Sequence, residues 1–308
     1  MARSASERFG ILIMAAEYKL YRLKSLIMKK ISNIRILSFL DNVYRIASLP
    51  FAFVAYVITT RVLRRPYFGV WMGSGQGNPL RYPMMRRAVT MCATNMDARS
   101  ENSIFRVMEI GAYAGGSAIE FASALKQANI GQYLVFSVDP WNSYLDVSRN
   151  KAIQYRIMNY NLANGNALRL FIRNVRAAGI SDVCRQLRGK AEEMLPMLKD
   201  RQFGFIYIDG DHAPEAVLKD LRESARLIAP GGYLSGDDLE VQMADADGDF
   251  VRDHADRDIA MDEASGKIFH PGVTLAVGEF FGRKISCYDG FWVVRWNGET
   301  FEDVDLTE

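Results

Sequence analysis

From residue 103 onward, short apolar runs alternate with helix-patterned stretches, and this alternation constrains the fold more than any other feature of the chain. Residues 104–110 (IFRVMEI), 132–138, 183–187 and 203–208 (FGFIYI) are short, apolar and partly β-branched, as buried strands are. Between them lie AIEFASALKQA, residues 167–178 and residues 214–228, with apolar positions at helical spacing. Strands joined through helices pair in parallel, because a parallel pair needs a long crossover connection. The pattern therefore predicts a doubly wound α/β sheet. A further helix over 273–282 (VTLAVGEFFG) and strands at YLSG, KISCY and FWVVRW bring the expected strand number to seven.

The first strand runs into a glycine turn, Gly111-Ala112-Tyr113-Ala114-Gly115-Gly116-Ser117, which opens a helix. Glycine lets backbone turn sharply and approach a ligand, and a helix N-terminus offers N–H groups to an anion. The spacing is E-x-G-x-x-x-G from Glu109, not the G-x-G-x-x-G of a dinucleotide site, and no Gly-Lys-Ser/Thr closes it as in a phosphate loop. The second strand ends in Asp139-Pro140-Trp141. An acid at that tip can accept from the two hydroxyls of a ribose, or simply cap the turn before Pro140. Trp141 can stack on an adenine or pack in the core. Gly189-Lys190-Ala191 stands at the third tip, where backbone groups can read an adenine edge.

The fourth strand ends in Asp209-Gly210-Asp211-His212 and the next in Asp237-Asp238. Adjacent parallel strands place their C-terminal tips side by side. Four carboxylates and an imidazole should therefore gather at one sheet edge, where a bound cation would relieve their mutual repulsion. Oxygen ligands of this kind suit magnesium or another hard divalent ion better than zinc. Helix caps and solvated turns explain one or two of these residues, not the set.

Taken together, VMEIGAYAGGSA, FSVDPW, FIYIDGDHAPEAVLKDL and IAPGGYLSGDDL resemble the class I S-adenosylmethionine-dependent methyltransferases. Within these they are similar to the magnesium-dependent sugar O-methyltransferases of antibiotic biosynthesis (the macrolide and aminocoumarin sugar type, methyltransferase family 24). The resemblance covers residues 103–296. It implies a Rossmann-like sheet with S-adenosylmethionine bound by Glu109, Gly111, Ala112, Tyr113, Gly115 and Ser117, by Asp139 and Trp141, and by Gly189, Lys190, Ala191 and Asp209. It implies magnesium on Asp209, Asp237 and Asp238, and Asp211 or His212 as the general base. Methyl transfer to a hydroxyl is a direct displacement, and a cation that lowers the hydroxyl's pKa, together with a base that takes its proton, would make a sugar oxygen nucleophilic.

The N-terminal segment departs from that family. Residues 1–66 hold 12 Lys/Arg against 3 Asp/Glu, a net of +9 in a chain whose total is +2. Residues 8–30 are apolar at helical spacing with interspersed basic residues, and residues 46–60 (IASLPFAFVAYVITT) are uncharged, with Arg45 and Arg61 flanking them. Fifteen uncharged residues fall short of the roughly 20 of a bilayer span, and Pro50 should kink a helix. A basic, apolar segment of this kind predicts helices in the interface of an anionic membrane, or a re-entrant hairpin, with the enzyme peripheral on the cytoplasmic face. The alternatives are a helical extension packed on the catalytic domain or on a second copy in a homo-oligomer, and a single span. Nucleic acid is not an expected partner.

Residues 67–102 read as a connector and 103–308 as the catalytic domain, with an acidic insert at 240–267 that reads as a mobile lid or edge loop. His254 inside the insert reads as solvated, and His270 as a residue where the chain re-enters the fold near the acceptor. Cys92, Cys184 and Cys287 are too scattered for a disulfide framework. Competing readings are a nicotinamide oxidoreductase, a metal-dependent hydroxylase-like relative of the same fold, and a membrane-tethered scaffold without catalysis. The acceptor, a small molecule or a glycan, is not named by the sequence.

Overall fold

The computed structural model describes residues 34–73, 81–96, 104–144, 152–262 and 265–307. The expected helix at 8–30 lies outside them. The chain divides into two compact units, residues 1–77 with 142–178, and residues 78–141 with 179–308. Residues 142–178, expected to belong with the sheet, thus group with the N-terminal segment.

The second unit holds the sheet. Strands β1 (Phe105–Ile110), β2 (Tyr133–Asp139), β3 (Cys184–Arg188), β4 (Phe203–Ile208) and β5 (Ile228–Leu239) lie in the order 3-2-1-4-5 and pair in parallel. The order reverses between β1 and β4, the switch point outside which open α/β sheets bind ligands. β4 is buried along its whole length, as a strand covered on both faces must be. The acidic insert contributes a short hairpin, β6 (Ala260–Met261) with β7 (Ile268–Phe269). Beyond it, β8 (Cys287–Tyr288) and β9 (Gly290–Trp296) form a tight antiparallel pair, and β9 runs antiparallel beside β5. The main sheet has eight strands rather than seven, because a turn at 297–300 sends β10 (Phe301–Asp303) back along β9.

Met108, Ile110, Phe203, Ile206, Leu221, Leu234 and Trp292 form the heart of the core, which helix Pro214–Leu227 and helix Pro271–Phe281 also line. Burying each such side chain contributes about 1.5–3 kcal/mol. Cys92 and Cys184 are buried and Cys287 is partly buried, in keeping with thiols rather than disulfides.

The insert, expected as a mobile lid or edge loop, holds regular secondary structure. Helix Gly248–Asp253 and the β6–β7 hairpin close over Val241, Val251, Ala260 and Phe269. Its composition is acidic, yet these four apolar side chains make a small core of their own.

In the first unit, helix Ile34–Val57 runs on past Pro50 without ending and continues as a π-helical turn, Ile58–Val62. The stretch Phe39–Val62 is long and apolar enough to cross a membrane by length and composition. Asp41 and Arg45 pair along the helix at 2.8 Å. Helices Ile153–Ala163 and Asn166–Ala177 belong to the same unit, where the Ile153 N–H donates to Asn42 and the Asn174 amide bonds both ways with the Tyr67 backbone.

Candidate active site

The tips of β1 and β2 are tied to each other through the glycine turn. Gly111 adopts φ +89°, and its N–H donates to the Val138 carbonyl at 2.9 Å. The Asp139 carboxylate accepts from the N–H groups of Ala112 (3.0 Å), Tyr113 (2.8 Å) and Trp141 (2.6 Å). The Trp141 indole is buried and donates to the Tyr113 carbonyl at 2.8 Å, so the ring braces the turn and has no open face in this structure. Tyr113 and Trp141 both sit at positive φ, +40° and +46°. Such backbone costs about 1–3 kcal/mol per residue and persists only where its surroundings hold it. An ionised carboxylate has about four lone-pair sites. With three taken by the turn, about one acceptor site of Asp139 is left.

Beneath the turn, Glu109 is fully buried and accepts from the hydroxyls of Ser117 and Ser137, the latter at 2.5 Å. Helix Gly116–Gln127 begins after Gly115 at φ +84°, and Ser117 stands in its first turn. Gly189 follows β3 and donates to the Asp139 carbonyl at 3.2 Å, while Lys190 is exposed beside Glu192.

At the tips of β4 and β5, Asp209, Asp237 and Asp238 converge, each offering an oxygen within 4.8 Å of the others. Asp238 holds φ +63°. Three further residues complete the cluster. Arg81, just before helix Tyr82–Asn95, pairs with Asp237, with Asp238 (3.1 Å) and with Glu240 (2.9 Å). His270 at the start of helix Pro271–Phe281 lies 3.1 Å from Glu240 and 3.7 Å from Asp238. His212 Nε2 lies 3.0 Å from Asp238. Asp211 does not join them: it is exposed and caps the backbone N–H of Ala213. His254 stacks on Phe250 within the insert, 4.1 Å between centroids.

A family profile described as "Methyltransferase domain" matches residues 108–239, which span the glycine turn, both strand tips and every member of the Asp209–Asp237–Asp238 group. Residues 108–239, somewhat under half of the chain, thus match a methyltransferase domain. Among solved structures it is similar to the O-methyltransferase NovP (19% identity, 70% of this chain and 79% of that one, TM-score 0.48). It is also similar to the O-methyltransferase TomG from Streptomyces achromogenes (16%, 70% and 80%, 0.42) and to the O-methyltransferase from Bacillus cereus (16%, 70% and 81%, 0.42). Among curated proteins no sequence matches significantly.

The charge state of the acidic cluster follows from its burial. Burial raises Asp209 well above the usual carboxylate range, with the charges of Asp237 and Asp238 adding to it. Asp237 is pushed up to about 6 by burial and by Asp238, against the pull of Arg81. Asp238 goes the other way: burial opposes ionisation, but His270, His212 and Arg81 together hold it well below the usual range. His270 rises to about 10 because Asp238 and Glu240 outweigh its burial. The Oδ1 atom of Asp237 is buried without a hydrogen-bond partner. Three converging carboxylates, one with a buried oxygen that has no hydrogen-bond partner, are a donor set that a hard divalent cation would complete, so the residues fit one.

Glu109 is pushed up to about 7 by burial, with the two serine hydroxyls and the Ala118 N–H opposing and the Asp139 charge adding to the rise. The folded state thus binds a proton more tightly than the unfolded state. Its stabilising contribution is complete below the unfolded value near 4.5 and is lost as pH rises through about 7. Glu109→Gln keeps a hydrogen-bonding side chain and removes the charge. Urea titrations from pH 5 to 8 should show a flatter stability profile for the variant, with its largest gain over wild type at pH 8; parallel profiles would refute the assignment.

Proposed function

We propose that this methyltransferase moves the methyl group of S-adenosylmethionine to a hydroxyl of a sugar or glycan, assisted by a hard divalent cation. The observation that carries this reading is the convergence of Asp209, Asp237 and Asp238, with Asp237 Oδ1 buried and unpartnered and with His212 beside Asp238. Magnesium held by these three residues would supply a Lewis acid that lowers the pKa of an acceptor hydroxyl. His212 is the base this reading favours, since Asp211 accepts the Ala213 N–H just before helix Pro214–Leu227 and faces solvent. The β1 and β2 tips would hold the cofactor, with Glu109 and Asp139 fixing the turn and Asp139 accepting from one ribose hydroxyl.

The same reading places the enzyme on the cytoplasmic face of a membrane and makes a lipid-linked sugar the acceptor. It is supported by Phe39, Val43, Ile46, Phe51, Phe53, Val54 and Val62, all exposed on helix Ile34–Val57 and the turn after it, and by Arg61, Arg64 and Arg65 at its end. Each basic residue near an anionic surface contributes about 1 kcal/mol. Deleting residues 1–66 would strip packing partners such as Asn42 and Arg45 from their unit, so substitution is the cleaner test. Full-length protein should float with phosphatidylserine vesicles and Phe39→Glu/Phe51→Glu should not. On those vesicles, labelled methyl groups should pass from S-adenosylmethionine into a cellular glycolipid extract. Equal flotation of both proteins removes the membrane reading, and label confined to protein or nucleic acid removes the glycan reading.

A further inference from the structure

The acidic insert contributes a side chain that reaches the site. Asp258 Oδ1 lies 2.7 Å from His212 Nδ1, while the other ring nitrogen, Nε2, faces Asp238 Oδ2 at 3.0 Å. The Asp258 side chain is only 14% exposed. It stands between helix Gly248–Asp253 and β6, whose Val251 and Ala260 belong to the insert's own core, so its position is fixed by packing. His212 is held from other directions as well. Its carbonyl packs against Gly272 so closely that a Cβ there would overlap it, and its ring meets the His270 ring edge-on at 4.5 Å.

A neutral imidazole has one N–H and one lone pair, and the partner of one nitrogen decides what the other can do. Carboxylates face both ring nitrogens, Asp258 at 2.7 Å and Asp238 at 3.0 Å. The closer one holds the single proton of the neutral ring on Nδ1, which leaves Nε2 as the nitrogen that takes a proton in the reaction. Asp258 also prevents the ring from turning over. We propose that Asp258 is a positioning residue for methyl transfer: it fixes His212 in the Nδ1–H form and aims Nε2 at the Asp237–Asp238 edge of the site. This rests on the reading of His212 as the base. In the step itself the acceptor oxygen bonds to the methyl carbon, the carbon–sulfur pair leaves with sulfur, and the hydroxyl proton passes to His212 Nε2. The imidazolium so formed lies between two carboxylates, Asp258 and Asp238. The insert thereby supplies part of the catalytic apparatus from outside the 108–239 segment that carries the family match.

The chain has three histidines, so each ring can be followed by nitrogen-15 NMR of the full-length protein. The neutral His212 ring, assigned with His212→Gln, should show the Nδ1–H tautomer. Asp258→Asn should move it to the Nε2–H form or a mixture, and Asp258→Glu should restore it. The His254 signals, from the same insert, should stay in place and report that the insert is folded. The rate of methyl incorporation into the glycolipid extract should fall 10- to 100-fold in Asp258→Asn at unchanged KM for S-adenosylmethionine, with partial recovery in Asp258→Glu. An unchanged His212 signature in Asp258→Asn overturns the positioning role. A changed signature at an unchanged rate overturns instead the reading of His212 as the base.

Discussion

Gly111→Ala should destabilise the fold by about 2–6 kcal/mol. The residue sits at φ +89°, and a Cβ there would overlap the Asp209 carbonyl oxygen, lie 2.5 Å from its carbon and 2.9 Å from the Gly210 Cα. Neither side can give way. The Gly111 N–H is bonded to Val138, the Asp209 N–H donates to the Ile110 carbonyl at 2.8 Å, and Ile110 is in register with Ile208. Backbone strain and overpacking each cost about 1–3 kcal/mol, and together they take a large part of a domain's usual 5–15 kcal/mol. The clash is with the strand tip that carries Asp209, so the damage is to the fold itself before any effect on cofactor binding. Gly179→Ala isolates the strain: φ there is +69° and a Cβ would meet nothing within 4 Å. Thermal unfolding followed by circular dichroism should show a modest drop in Tm for Gly179→Ala and a several-fold larger one for Gly111→Ala. Similar melting of the two variants would mean that β1 and β4 can separate at their tips.

The features legible in the sequence were those with a local signal. The apolar run at 203–208, the glycine turn and the acids that end β2, β4 and β5 were all read within a residue or two of their places. What escaped depends on partners far away in the chain. Arg81 pairs with Asp238 across 157 positions, and Asp258 meets His212 across 46. Neither residue stands in a motif, and one basic residue in a loop carries no mark of the acids it will join. Helix Tyr82–Asn95 was hidden by the glycines and prolines before it, although Met85, Val89 and Cys92 bury one face at helical spacing. The insert was judged by its many acids, while its fold depends on four apolar side chains. Asp139 illustrates a different limit: its position at a strand tip was evident, but only the geometry shows that most of its acceptor capacity goes to the turn.

Arg81→Met should tighten divalent cation binding by about tenfold or more, and Asp237→Asn should weaken it by at least as much. The guanidinium bridges Asp237, Asp238 and Glu240 and also donates to the Asp289 carbonyl at 3.2 Å, so a positive charge already stands against two of the three carboxylates expected to hold the cation. Two unit charges 4 Å apart interact by about 4 kcal/mol at an effective dielectric of 20, so the repulsion that Arg81 exerts on an entering cation is large enough to govern affinity. Removing Arg81 also removes a charge that favours ionised Asp237, which is why the comparison belongs at pH 8, above the Asp237 value of about 6. Below pH 6 protons compete for that ligand and binding should weaken in wild type too. Manganese titration followed by electron paramagnetic resonance measures affinity without turnover, and a chelator should abolish methyl transfer in wild type until magnesium is returned. Unchanged transfer in excess chelator, with no manganese bound by either protein, would leave Arg81 and His270 as the counter-charges of the cluster and the three aspartates as a structural network.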